Sequence, residues 1–181
     1  NYKGKTYHTG RWPHEKVDFT GLRVAVIGTG SSAIQAIPVI AEEAAQLSVF
    51  QRQANFTIPS RNHLMTEEYA NSWKNGYAEK RQEMRYMPNG VLRELNNKSA
   101  LDVSEQERLA TYEERWRAGG SGFLGAFNDI LTNKKANDTM AEFVRNKIRQ
   151  TVQDPVTAEI LCPKTHPIGT KRLCVDSGYF E

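Results

Sequence analysis

Long apolar runs are missing from this chain. Nowhere does it approach the roughly 20 consecutive apolar residues of a membrane-spanning helix, and no basic segment followed by an apolar stretch marks an export signal at its start. A spanning or exported protein is therefore not expected. Cysteine is scarce as well. Cys162 and Cys174 show neither zinc spacing nor a disulfide framework, and are read as buried, reduced thiols of a cytoplasmic protein. Strong charge of one sign is also lacking. The formal net charge is +3 over 181 residues, so neither nucleic acid nor a membrane surface is called for as a partner, although a few local cations can still serve one anionic ligand. No metal cluster, nucleophile triad or paired-carboxylate site stands out.

What is present is a globular composition, 39% hydrophobic and 25% charged. The chain opens on Asn1 rather than on methionine and stops at Glu181 without a closing structural signal, which suggests an excerpt of a longer polypeptide. From Asn1 to Pro13 the chain is rich in Tyr, Gly, Lys, His and Trp without apolar periodicity, and residues 1–20 read as a linker. The β-branched run Arg23 to Ile27 predicts a strand. Ile34, Ile37, Ile40, Ala41 and Ala44 predict a helix from Ser31 to Ala45, and Leu47 to Phe50 predicts a second strand, together a right-handed βαβ unit. Pro38 lies inside that helix, where an interior proline costs about 3 kcal/mol, so a kink or a later start is expected.

From residue 63 to 165 the pattern becomes helical and charged. One helix is predicted from Thr66 to about Tyr86. Ser104-x-x-Glu107 is a capping box opening a second, with Leu109, Tyr112 and Trp116 on one stripe and Gly119-Gly120 as its stop. Thr139-x-x-Glu142 predicts the opening of a third, and Asp154-Pro155 a short fourth. A single further strand, Arg172 to Val175, is predicted after it. The fold class is therefore α/β: part of a Rossmann-like, doubly wound parallel sheet (residues 21–62, resumed at 166–181) with an all-helical insertion at 63–165.

The chemistry centres on Gly28-Thr29-Gly30-Ser31-Ser32-Ala33. A G-x-G-x-x-A pattern alone is a weak signal and also occurs in turns without a ligand. Here it follows a strand and opens a helix, so Gly28 can make the turn, Gly30 can admit a pyrophosphate to the backbone, and a small residue at 33 can pack closely. The helix N-terminus offers free N–H groups and a partial positive charge, to which Ser31 and Ser32 add hydroxyls. The second strand ends in Gln51-Arg52-Gln53. Arg52 stands close to the position, roughly 20 residues past the first glycine, where NAD and FAD sites carry an acid against the ribose 2′-OH. A guanidinium there pairs with a 2′-phosphate, which favours NADPH.

Before the turn, Tyr2-Lys3-Gly4-Lys5-Thr6-Tyr7-His8-Thr9-Gly10-Arg11-Trp12-Pro13 resembles the Baeyer–Villiger monooxygenase fingerprint F-x-G-x-x-x-H-x-x-x-W-P, with Tyr2 in place of Phe. The resemblance continues through Val49-Phe50-Gln51-Arg52, Trp116 with Gly119-Gly120, Phe127 to Leu131, Lys171-Arg172, and Asp176-Ser177-Gly178-Tyr179. It implies an enzyme that uses NADPH, FAD and O2 on a ketone, of which this chain is the NADPH-binding middle. The FAD domain, whose glycine fingerprint is absent here, would be its partner on the same polypeptide. The resemblance also implies that Arg52 and Lys171 hold the 2′-phosphate and that Arg172 stabilises the anionic oxygenating species beside flavin and nicotinamide, a task suited to a permanently charged guanidinium. His8 is expected to be a hydrogen-bonding strut and Trp12 a packing anchor. A related enzyme oxygenating nitrogen or sulfur, and a non-catalytic NADPH-binding module, are the alternatives.

Overall fold

The computed structural model describes residues 2–87, 90–92 and 95–181. Its first elements follow the predicted pattern: strand β1 (Arg23–Ile27), helix α1 (Ser31–Glu43) and strand β2 (Gln46–Phe50). β1 and β2 pair in parallel, Arg23 opposite Gln46 and Ile27 opposite Phe50. Ile34, Ile37 and Ile40 form the buried stripe of α1, at the 3–4 residue spacing that places side chains on one face. The helix starts at Ser31 and runs through Pro38, so the later start is corrected. Proline there gives up the bond to the Ile34 carbonyl and crowds that carbonyl, and burial of the isoleucine stripe holds the helix across the gap. Only one face of the small sheet is covered. On the other, Ile27 is 88% and Phe50 58% exposed.

A strand absent from the sequence reading, β3 (Thr57–Pro59), pairs in parallel with β4 (Cys174–Asp176). These two form a second two-stranded sheet separate from the first. β3 is too short to show alternation and contains a proline, which hides it from pattern reading. β4 begins at Cys174 rather than Arg172, which leaves Lys171 and Arg172 in the loop before it. The structure is thus mixed helix and strand with two small parallel sheets.

Between the partners of this second sheet lie the helices. The predicted helix from Thr66 to Tyr86 is two, α2 (Glu67–Lys74) and α3 (Tyr77–Met84). Gly76 sits at the break, a residue that loses more entropy in a helix than any other. Helix α4 (Glu105–Ala118) opens on Ser104, whose hydroxyl accepts from the Glu107 N–H at 3.1 Å, and ends at Gly119. Tyr112 and Trp116 face the core, whereas Leu109 is exposed. Helix α5 (Lys134–Thr151) begins at Asn133, whose side chain accepts from Lys135, not at Thr139. The Thr139 hydroxyl instead donates to the Ala136 carbonyl and pairs with the Tyr112 hydroxyl, so the serine/threonine-x-x-glutamate spacing at 139–142 falls mid-helix. Helix α6 (Pro155–Leu161) is capped by Asp154 as predicted. The main core joins these helices to β3. Tyr112, Phe123 and Phe127 pack edge-on or tilted over Met140, Val144 and Ile58. No helix among the described residues is long and apolar enough to cross a membrane.

Candidate functional site

Parallel pairing puts the C-terminal ends of β1 and β2 side by side, so the glycine turn and the Gln51–Gln53 segment leave the sheet at the same edge. In open α/β sheets this edge is where ligands bind. The Gly28 N–H donates to the Phe50 carbonyl at 2.9 Å, and Gly28 holds φ 101°, a conformation that costs other residues about 1–2 kcal/mol. Gly30 is the N-cap of α1 at φ −81°, ψ 178°, ordinary extended backbone. A side chain there would meet no protein atom within 4 Å. Neither strain nor crowding explains a glycine at 30, and the space in front of it is open.

Two further segments close on this turn. The Thr29 hydroxyl, buried, donates to the Gln53 carbonyl at 3.2 Å, and the Asn55 side-chain amide donates to the Thr29 carbonyl. From the far end of the chain, Cys174 accepts the Ser31 hydroxyl on its sulfur at 3.6 Å. Lys171 Nζ donates to Gln53 Oε1 at 2.7 Å. Lys171 is therefore brought to the residue next to Arg52, across more than a hundred residues of intervening chain. Arg52, Lys171 and Arg172 are all exposed, and none takes part in a salt bridge described for this chain, whereas Arg145, Lys147, Arg149 and Lys164 of the helical part all do. Ser32 is exposed on the first turn of α1 and Ala33 half-buried beneath it. The Gln51 amide donates to the Ile160 carbonyl of α6 at 3.0 Å.

Some residues of this junction carry no sequence signature. Gln53, Asn55 and Asn137 are ordinary polar residues until the fold brings their partners to them. Asn55 Oδ1 is buried without a hydrogen-bond partner, beside the turn its amide holds. Lys171 has His166 as a neighbour. Burial first, and the Lys171 charge second, push the His166 imidazole below its ordinary value, which favours the neutral ring. Of the linker residues, His8 Nδ1 accepts the Gly10 N–H at 3.1 Å and caps a short 3-10 turn, Thr9–Arg11, the strut expected of it. Trp12 packs against Tyr7 and Phe19. A cavity of about 380 Å³ past the ends of β3 and β4 is lined by Arg61, Trp116 and Asp176 among others and shares no residue with the glycine turn. Burial raises the Asp176 carboxyl above its ordinary value although the Gly178 and Tyr179 N–H groups donate to it.

No family model matches the chain. It is 42% identical over its full length to the 2-oxo-Δ3-4,5,5-trimethylcyclopentenylacetyl-CoA monooxygenase of Pseudomonas putida, covering 34% of that protein. It is 39% identical to the cyclohexanone 1,2-monooxygenase of an Acinetobacter species, covering 33%, and 37% identical to the phenazine N-monooxygenase of Lysobacter antibioticus, also covering 33%. Among solved structures, an oxidised steroid monooxygenase bound to NADP matches 94% of the chain at 54% identity and a TM-score of 0.88, over 32% of its own length. The OTEMO complex with FAD and NADP matches 99% at 42% identity and a TM-score of 0.95, over 35%. Each of these five is named a monooxygenase or, for the last, holds FAD and NADP. The chain is thus similar over its whole length to Baeyer–Villiger monooxygenases and related enzymes, and it spans about a third of the length of the curated relatives it matches.

Proposed function

We propose that this chain is the NADPH-binding segment of an FAD-dependent Baeyer–Villiger monooxygenase that inserts one oxygen atom of O2 beside a ketone carbonyl to give an ester or lactone. The observation that carries the proposal is the unobstructed space before Gly30, at a helix N-terminus, with Arg52 and Lys171 drawn to the same sheet edge. A dinucleotide pyrophosphate fits there. The N–H groups at the start of α1 and the Ser31 and Ser32 hydroxyls would hold it, Gly28 and Thr29 shaping the approach. Arg52 and Lys171 would take the 2′-phosphate, with Gln51 at the rim. The orphaned Asn55 acceptor suits a hydroxyl-bearing ligand, since buried acceptors are seldom left unpaired.

NADPH would supply the hydride and FAD the oxygen activation. Arg172, two residues before β4, is assigned to the reacting centre as a fixed positive charge. Residues 21–62 and 166–181 are the two parts of a Rossmann-like domain, 63–165 its helical insertion, and 1–20 the link to the FAD domain. The bare face carrying Ile27 and Phe50 supports further strands and the FAD domain as its cover, because parallel sheets are normally buried on both sides. The buried, unbridged Cys162 and Cys174 suit the cytoplasm.

The test is product analysis of the full-length enzyme with NADPH, O2 and a cyclic ketone, expecting a lactone. Failure to form any ester or lactone from a panel of ketones overturns the ketone assignment. A second reading, oxygenation of nitrogen, is favoured by the phenazine relative, and predicts an N-oxide from an aromatic nitrogen heterocycle under the same conditions.

A further inference from the structure

Lys171 is held by an amide and not by a carboxylate. Its ammonium donates to Gln53 Oε1 at 2.7 Å, and Gln53 is itself fixed through its backbone carbonyl by the buried Thr29 hydroxyl of the glycine turn. Lysine is a strongly hydrated point charge on four rotatable carbons, so an exposed lysine samples many positions unless something holds it. A carboxylate would hold it too, but would cancel the charge. An amide oxygen restrains one of its three N–H donors and leaves the full charge and two donors for an anion.

We propose that Gln53 is the positioning residue of the 2′-phosphate site: it fixes the Lys171 ammonium beside Arg52 without neutralising it, and so sets the preference for NADPH over NADH. This rests on the assignment of Arg52 and Lys171 to the 2′-phosphate. Residue 53 links three parts of the junction, since its backbone is tied to the turn that faces the pyrophosphate, its side chain to Lys171, and its neighbour is Arg52. Pre-organising a charge lowers the ordering cost of binding more than it adds any new contact. The effect should therefore appear only for the ligand that carries the phosphate.

The experiment is titration calorimetry of NADP⁺ and NAD⁺ on the flavin-loaded full-length protein and its variants Gln53→Leu, Gln53→Glu, Arg52→Ala, Lys171→Ala and the double variant Gln53→Leu/Lys171→Ala. The expected result is a rise of about three- to tenfold in the NADP⁺ Kd for Gln53→Leu, the worth of one hydrogen bond, with the NAD⁺ Kd changed less than twofold. Gln53→Glu, which keeps the contact but cancels the charge, should lose more than Gln53→Leu. In the Lys171→Ala background, Gln53→Leu should add nothing, because residues acting through one another are not additive. Equal losses for NADP⁺ and NAD⁺, or full additivity in the double variant, overturn the positioning role. If Lys171→Ala weakens NADP⁺ while Gln53→Leu does not, the role of Gln53 falls and the 2′-phosphate assignment stands. If neither Lys171→Ala nor Arg52→Ala discriminates between the cofactors, both fall together.

Discussion

Asn137 grips Ile168 on both sides of the residue: its Oδ1 accepts the Ile168 N–H at 3.1 Å, and its Nδ2 donates to the Ile168 carbonyl at 2.8 Å. The same Nδ2 reaches the Ile130 carbonyl at 2.9 Å. Asn137 is 5% exposed on α5, so the core of the helical part is bolted to the segment that leads, three residues on, to Lys171 and Arg172. Replacing Asn137 by Ala leaves the three partner groups unpaired in the interior and is expected to cost about 3 kcal/mol or more. Urea denaturation of the full-length protein measures it, and a loss under 1 kcal/mol would contradict the bolt.

Gly30 and Gly28 separate binding from folding. At Gly30 an alanine meets no protein atom and sits in ordinary backbone, so Gly30→Ala should leave Tm within a degree or two while NADP⁺ binding weakens at least tenfold. At Gly28, φ 101° makes Gly28→Ala cost about 1–2 kcal/mol of stability. Thermal scans with and without NADP⁺ distinguish the two, and unimpaired binding by Gly30→Ala would remove the pyrophosphate from this turn.

Arg52→Ala should weaken NADPH by about 1.5–3 kcal/mol, the worth of a charge-assisted hydrogen bond, and NADH much less. The ratio of kcat/KM values for the two cofactors reads this directly. A uniform loss would mean that Arg52 serves the fold or the pyrophosphate instead.

Arg172→Ala should leave NADP⁺ binding largely intact and lower ketone oxygenation by about 10²- to 10³-fold, the usual effect of removing one fixed stabilising group. Rapid-mixing measurement of flavin reduction beside product yield separates the steps. An Arg172→Ala enzyme that still makes ester at the normal rate sinks the assignment.

Acid stability should depend on Glu159. The Arg149 guanidinium, then the Lys164 ammonium, hold its carboxyl down from an ordinary value of 4.5 to about 2, through contacts of 2.5 and 2.7 Å. A carboxyl depressed in the folded state stabilises above its unfolded value and loses that contribution as protons bind. The loss therefore runs from about pH 4.5 down to about 2. Denaturation midpoints across that window should flatten in Glu159→Gln and in high salt, since the group is solvent-accessible and screened. An unchanged pH profile in Glu159→Gln would show the network to be idle.

What the sequence determined by itself is local. β1, α1 and β2 are legible because periodicity of two and of 3.6 is written in consecutive residues, and the glycine turn because the positive φ of Gly28 selects glycine. The caps at Ser104 and Asp154 follow from side chains that reach backbone three residues away. The segment from His8 to Pro13 carried the resemblance to Baeyer–Villiger monooxygenases.

Tertiary structure alone decided the rest. β3 became a strand because β4, more than a hundred residues later, offers it a ladder, and no local pattern encodes that partner. Thr139 lost its cap role because the upstream Asn133 took the helix start and Tyr112 took its hydroxyl. Arg52 could be read from its place at a strand end, but Lys171 reaches that end only through Gln53. A hydrogen bond between distant segments has no period and no spacing, and only the packing of α1 against both sheets sets its length.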